Sequence, residues 1–377
     1  MNPTVFERNP VKTIISVVLI IIITLDVAAA RFLSMNFQDI SFFQTLNEKI
    51  AYKLQIHQHR QANPYYHHDL APDKNIIETW GPLQYRLITN SWGFKDSLIR
   101  DLPPHSQKKR ILFLGDSFTE GFGMPYEKTF VGMIDQRVDH EKYEILNAAV
   151  VSYSPKLYYY KTRYLLDFKQ LKIDELFVFI DVSDIFNELE YELFDPKNLH
   201  SSSVIAFADK TSAFLERNSF LYNFFRHFFI QRQNKNKQSS LDYVLKNKHN
   251  ANFWTLNETL FQEWGEEGVR LAEKHMQLLV DLCKARGIKM TIAIYPYDSE
   301  IYYGKRDSKQ IRIWKYFSES NSINFINYYP DFFDAPFLGI PDSKATPYYI
   351  LKNYFIPGDP HWNEHGHRLI ANKLPIP

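Results

Sequence analysis

Two short stretches, far apart in the chain, hold the residue types that acyl-transfer chemistry needs. Residues 111–121 read ILFLGDSFTEG. An apolar run of strand type stops at a small residue and an acid, and Ser117 stands where the backbone must turn into the next segment. A hydroxyl there lies at the carboxyl end of a buried strand, where open α/β sheets place their ligands. Backbone N–H groups after such a turn point at bound anionic oxygen. A nucleophilic serine needs both exposure at a strand end and donors for the charge that develops during attack. The second stretch is Asp359-Pro360-His361-Trp362-Asn363. An acid two residues before a histidine can hold one imidazole nitrogen while the other faces the serine.

More than two hundred residues separate Ser117 from His361, so the fold must join both regions at one site. Five short apolar segments, at 110–115, 143–149, 175–181, 289–295 and 323–327, read as buried strands. Helical segments separate them, which implies an α/β domain built on a parallel sheet with helices on both faces. The clearest helix covers 268–286, with Val269, Ala272, Met276, Leu279, Val280 and Cys283 on its apolar stripe and Gly287 as its stop. Further helices are expected at 308–320 and 363–373. Asn363 or Asp359 suits a helix start. Asp116 reads as a structural residue of the turn, and His365 and His367 as surface or packing residues. A zinc site on His361, His365 and His367 lacks an accompanying ligand set.

With Gly115-Asp116-Ser117 followed by Gly121, and a late Asp-x-His, the chain resembles the SGNH (GDSL-type) hydrolases over roughly residues 80–377. It is similar in particular to the bacterial exported esterase and O-acetyltransferase-like branch. The Gly-x-Ser-x-Gly elbow of the α/β-hydrolases is absent. The resemblance implies a flavodoxin-like three-layer α/β/α fold with a five-stranded parallel sheet. It also implies Ser117 as nucleophile, His361 as base and Asp359 as the orienting acid, with no metal or organic cofactor.

The middle blocks depart from the family pattern. Residues 147–155, NAAVVSYSP, resemble the second block, Asn-x-Gly-x-x-Gly-Tyr-x-Pro, with Ala149 and Ser152 in place of the glycines. Asp181-Val182-Ser183-Asp184 resembles the third, Gly-x-Asn-Asp, with Ser183 in place of asparagine. The resemblance thus implies an oxyanion hole made by the backbone N–H groups of Ser117 and Ser152 and the hydroxyl of Ser183, with Asn187 as the other candidate for the third donor. Loss of one oxyanion donor costs about 3–4 kcal/mol at the barrier. The implied substrate is an O-acyl, and foremost an O-acetyl, group on an extracytoplasmic glycan or polysaccharide. O-acetyltransfer to a sugar hydroxyl uses the same acyl-enzyme, and the Asp-x-His-Trp sequence is similar to SGNH-like proteins that acetylate exported polysaccharides. A catalytically inactive glycan-binding or assembly protein of the same fold is the alternative outside enzymes.

The composition of the 377 residues, 45% apolar and 23% charged, is that of a globular chain, and a net charge of +1 gives no reason to expect a nucleic-acid partner. The 24 Tyr and 30 Phe serve mainly as packing residues, with a sugar-stacking platform among them as a further expectation. Cys283 is the single cysteine, so no intrachain disulfide can form. Residues 13–30, TIISVVLIIIITLDVAAA, follow Arg8 and Lys12 and mark an export signal. The segment is either cleaved near Ala28-Ala29-Ala30 or retained as an anchor in the bacterial inner membrane with Asp26 near its outer end. Both place the bulk of the chain outside the cytoplasm, in the periplasm or at the cell surface. The expected organisation is a signal or anchor at 1–30 and a stalk and leading segment at 31–103. A hydrolase-like domain at 104–377 follows. It carries an insertion at about 193–262, with an aromatic helix at 214–231 and a polar loop at 231–240 that overhangs the site.

Overall fold

The computed structural model describes residues 9–36, 59–80, 83–192, 194, 196, 219–222, 224–225, 250–335 and 346–376. They fall into two units, one of residues 1–58 and 200–240, the other of residues 59–199 and 241–377. The stalk residues 37–58, and most of the aromatic helix and polar loop expected in the insertion, lie outside the described residues.

In the first unit, α1 (Pro10–Asn36) runs unbroken through Ala28-Ala29-Ala30. Its segment Pro10–Phe32 is long and apolar enough to cross a membrane. At 1.5 Å per residue those 23 residues extend about 35 Å, against a hydrocarbon core of about 30 Å. Asp26, inside this segment, accepts a hydrogen bond from the Leu221 N–H at 2.8 Å.

The second unit is built on five parallel strands: β5 (Lys109–Leu114), β6 (Tyr143–Asn147), β7 (Glu175–Ile180), β8 (Lys289–Ile294) and β9 (Asn324–Asn327). Their order across the sheet is β6-β5-β7-β8-β9. Numbered by their own succession this is 2-1-3-4-5, the flavodoxin-like order, whose ligand crevice opens between the first and third strands. Ile111 faces Ile145 on one side and Glu175 on the other, and Phe113 faces Asn147 and Phe177. Residues 110–114, 176–180 and 290–294 are buried without interruption. That is the pattern of strands covered on both faces, and the reason they read as plain apolar runs. Phe113 stacks on Phe177 at 5.3 Å, and Phe130 packs on Phe179 at 4.6 Å.

Helices cover both faces. The chain moves across the sheet one way from β5 to β6 and the other way from β6 onward. Right-handed crossovers therefore put α3 (Phe130–Asp135) opposite α4 (Pro155–Arg163), α5 (Asp184–Glu190) and α6 (Glu266–Ala285). The short α2 (Ser117–Glu120) follows β5 directly. After β8 come α7 (Asp298–Tyr302) and α8 (Lys309–Asn321), and after β9 come α9 (Tyr329–Phe333), α10 (Pro347–Tyr354) and α11 (Glu364–Lys373). The last packs on α3. Asn363 caps α11 by accepting from the His365 and Gly366 N–H groups at 2.9 and 3.2 Å. Cys283 is buried on α6, and burial pushes its thiol up to about 12.

Two antiparallel hairpins precede the sheet: β1 (Arg60–Asn63) with β2 (His67–Leu70), and β3 (Asn75–Trp80) with β4 (Leu83–Ile88). They are part of the same unit. The buried Lys161 ammonium on α4 donates to Asp69 on β2 and to the Ala148 carbonyl, both at 2.8 Å. At the other boundary, Trp254 is buried and donates its indole N–H to the Val182 carbonyl at 2.8 Å. The segment from residue 250 onward therefore belongs to the main body, although it falls inside the insertion expected at 193–262.

His367 on α11 gives the fold a pH dependence. It is buried, stacks on Phe130 at 6.0 Å, and its Nδ1 accepts from the Phe130 N–H at 3.3 Å. Burial first, then the charges of Lys95 and His361, push its pKa down from 6.5 to about 3. Between those values the unfolded chain binds a proton that the folded chain does not, so stability falls as pH drops below about 6.5. The expected loss from this group is about 2 kcal/mol at pH 5. Unfolding free energies from denaturant titrations at pH 7 and pH 5 should draw closer by that amount in His367→Phe.

Candidate active site

Local chemistry turns the chain sharply at the end of β5. A Cβ on Gly115 would lie 2.2 Å from Thr119 Oγ1 and 3.2 Å from the Phe179 carbonyl oxygen, so no larger residue fits. Asp116 then caps α2 by accepting from the Phe118 N–H at 3.0 Å. Ser117 is the first residue of that helix, and its own N–H has no intrahelical acceptor.

The loop between α10 and α11 brings the histidine to this turn. His361 Nε2 lies 2.8 Å from Ser117 Oγ, and His361 Nδ1 lies 2.5 Å from Asp359 Oδ1. The same Asp359 oxygen accepts from the His361 backbone N–H at 2.9 Å, which fixes the loop. A carboxylate against Nδ1 places the ring proton there and leaves Nε2 as the acceptor facing the serine. Burial by itself would raise the Asp359 carboxyl, but hydrogen bonds from the His361 ring and backbone and from Trp80, together with the imidazole charge, hold it below the ordinary carboxylate value. Phe118 and Phe122 pack against the His361 ring at 4.9 and 5.7 Å.

Trp80, on the β3–β4 hairpin, donates its indole N–H to Asp359 Oδ2 at 2.6 Å and meets Phe122 edge-on at 4.6 Å. Asp359 thus has one oxygen on the imidazole and the other on an indole from a different part of the chain. In the triad reading, Trp80→Phe keeps the ring and removes the donor. With Trp80 partly exposed, the expected effect is about a fivefold to tenfold fall in kcat with little change in KM, measured by steady-state ester kinetics.

The loop after β6 is pinned on every side. Ser152 has φ of 61°, the left-handed region, where the second family block carries glycine. Its carbonyl accepts from Tyr191 Oη at 2.8 Å. The preceding Val151 donates its N–H to Glu120 Oε2 and accepts at its carbonyl from His68 Nε2, both at 2.8 Å. Ala149, at the other glycine position, is buried and donates its N–H to Asn147 Oδ1 at 3.2 Å.

The loop after β7 places an acid where the family has glycine. Asp181 accepts from both the backbone N–H and the hydroxyl of Ser183. The hydroxyl expected in the oxyanion hole is thus turned to Asp181 in this structure. The Asn187 side-chain amide donates to Glu190 at 2.6 Å. Asp116, Asp181 and Asp184 are all fully buried, with a carboxylate oxygen from each within 4.8 Å of the others. Burial raises all three above the ordinary range, and the neighbouring acids raise Asp181 and Asp184 further. His365 is exposed on α11, and His367 is packed on Phe130 as described.

Sheet order, the Gly-Asp-Ser turn at the end of the first strand of the sheet, and the Asp-x-His loop beside it give the chain the fold that the resemblance to the SGNH-type hydrolases implies. No family model and no curated protein matches the sequence. Solved structures similar to it include the psychrotrophic esterase EstA from Pseudoalteromonas sp., at 13% identity and a TM-score of 0.38, covering 70% of this chain and 93% of that one. A GDSL-like lipase from Bacteroides thetaiotaomicron is similar at 12% identity and a TM-score of 0.35, covering 72% and 88%. The acetylxylan esterase Axe2 from Geobacillus stearothermophilus is similar at 14% identity and a TM-score of 0.35, covering 72% and 94%.

Proposed function

We propose that the protein is a serine esterase that removes O-acyl groups, O-acetyl foremost, from an extracytoplasmic glycan. The observation that carries the reading is the continuous path from Ser117 Oγ to His361 Nε2 at 2.8 Å and from His361 Nδ1 to Asp359 Oδ1 at 2.5 Å. Ser117 Oγ attacks the ester carbonyl as its proton passes to His361 Nε2. The imidazolium that forms is stabilised by Asp359. Charge on the carbonyl oxygen is taken by the backbone N–H groups of Ser117 and Ser152, and by the Ser183 hydroxyl once it turns from Asp181. His361 then gives its proton to the leaving alkoxide, and the sugar hydroxyl departs. Water, deprotonated by the same imidazole, attacks the acyl-enzyme, releases the carboxylic acid and restores Ser117.

The membrane-length helix α1 supports an extracytoplasmic, anchored placement. If a sugar hydroxyl replaces water in the second half, the enzyme is an O-acetyltransferase, which shares the acyl-enzyme and differs only in the acceptor. Acetate release from acetylated xylan and from acetylated bacterial polysaccharides, with and without an unacetylated acceptor glycan, tests both. Release that depends on Ser117 supports the esterase. Acceptor acetylation in its place supports the transferase, and neither product at a rate above buffer contradicts both.

A further inference from the structure

Residues 150–153, after β6, form a β-turn, and the inference concerns its central peptide; it rests on the oxyanion role proposed above for the Ser152 N–H. The Tyr153 N–H donates to the Val150 carbonyl at 3.1 Å across the turn. Ser152, third in the turn, has φ of 61°, while Val151 before it has negative φ. That combination is a type II turn, whose third position favours glycine. Serine is strained in the left-handed region, whereas a type I turn would place the same residue in an ordinary conformation. The two turns differ by a rotation of about 180° of the peptide between the second and third residues. By its own preference, Ser152 would therefore turn its N–H the other way.

A side chain from the first hairpin opposes that rotation. His68 Nε2, on β2, lies 2.8 Å from the Val151 carbonyl oxygen. A carbonyl only accepts, so Nε2 carries the ring proton and Nδ1 is left as an acceptor. His67 Nδ1 lies 2.8 Å from that acceptor and donates to it. The His68 ring meets Tyr153 edge-on at 5.0 Å, and the Tyr153 hydroxyl donates to the His68 carbonyl at 2.7 Å. The Val151–Ser152 peptide is trans, so its C=O and N–H point in opposite directions. Fixing the carbonyl on His68 therefore fixes the direction of the N–H.

The other backbone groups of Val151 and Ser152 are taken. The Val151 N–H donates to Glu120 Oε2, and the Ser152 carbonyl accepts from the Tyr191 hydroxyl, both at 2.8 Å. The Ser152 N–H has no acceptor among the described residues, and Ser152 is exposed. The Val150 N–H donates to the Gly115 carbonyl at 3.3 Å, and Glu120 is the last residue of α2, so this free donor stands beside the Ser117 turn. A hydrogen bond to the carbonyl of the same peptide also polarises the N–H and strengthens it as a donor.

We propose that His68 is a positioning residue, which holds the Val151–Ser152 peptide in the orientation that leaves the Ser152 N–H free for the oxyanion. It does through a hydrogen bond what a glycine at this position would do through its backbone freedom.

The test is a double-mutant cycle read in kcat and KM for p-nitrophenyl acetate. His68→Phe keeps a ring to pack and removes the donor. It is expected to lower kcat about 20-fold with KM within about twofold of native, and His68→Gln, whose amide nitrogen reaches the same place, to stay within about threefold in kcat. In the Ser152→Gly background, His68→Phe should cost no more than about threefold, because glycine adopts the type II turn unaided. A merely structural His68 would cost the same in both backgrounds, and that result overturns the proposal. So does a crystal structure of His68→Phe in which Ser152 keeps its positive φ. If His68→Phe does not fold, His68→Gln is compared with His68→Asn, whose shorter amide falls short of the Val151 carbonyl; equal kcat in the two overturns the proposal. Ser117→Ala measured alongside separates the two failures. Activity that survives Ser117→Ala sinks the triad reading itself, whereas Ser117-dependent activity that is indifferent to His68 sinks only the positioning role.

Discussion

Ser117→Ala is expected to lower kcat for ester hydrolysis by about 10⁴-fold to 10⁶-fold while leaving the melting temperature within a few degrees of the native value. The side chain removed is small and makes two hydrogen bonds, to His361 and Asp116, so the fold loses little. The chemistry loses the atom that forms the acyl bond. Residual activity comes from whatever the oxyanion donors and substrate contacts supply without a nucleophile. The same dependence makes the triad effects non-additive. Ser117→Ala combined with His361→Ala should be no slower than Ser117→Ala alone, because a base without a nucleophile has no proton to take. Steady-state kinetics on p-nitrophenyl acetate, with thermal melts of each variant, check both statements.

Arg60→Ala is expected to destabilise the folded unit by about 3–5 kcal/mol. Arg60 is almost fully enclosed and bridges two buried acids, reaching Glu120 Oε1 at 2.6 Å and Glu78 Oε1 at 3.1 Å. Glu78 is also held by the Tyr85 hydroxyl at 2.5 Å and by His59 Nε2 at 3.1 Å. The energy at stake is less the worth of the pair than the cost of leaving carboxylates buried without their cation. Replacing the cluster with neutral groups, as in Arg60→Met with Glu78→Gln and Glu120→Gln, should therefore recover most of the loss, and denaturant titrations of the two variants measure the difference. Catalysis should follow stability here, because Glu120 closes α2 and its Oε2 accepts the Val151 N–H beside Ser152. A buried arginine on the first hairpin thus ties the Ser117 turn to the proposed oxyanion loop.

The sheet was legible in the sequence because parallel strands buried on both faces leave uninterrupted apolar runs, and all five strands begin and end close to the expected positions. The 20-residue α6 was legible from its stripe, and the start of α11 from Asn363. The meeting of Ser117 with His361 was inferred from residue types and a family pattern, and its geometry agrees. Side chains that cross from the leading hairpins were not legible. Trp80 finds Asp359 across 279 positions, and Arg60 finds Glu120 across 60. No local spacing encodes such contacts, because a hairpin's register fixes its own strands and says nothing about which loop of another element its tip will meet. The acid cluster was half visible. Asp116 and Asp181 stood in recognised blocks, but only the packing of the loops after β5 and β7 puts their carboxyls together. The Ser183 hydroxyl was read by type as a donor to substrate, while in the folded chain it hydrogen-bonds Asp181.

The central claim is that Ser117, activated by His361, is the nucleophile. The most direct measurement is peptide mass spectrometry of the full-length protein after exposure to a fluorophosphonate. A single adduct on the peptide that carries Ser117, absent from Ser117→Ala and slowed at least about a thousandfold in His361→Ala, is the predicted result. An unmodified Ser117 in folded protein, or labelling that proceeds equally fast without His361, would contradict the account.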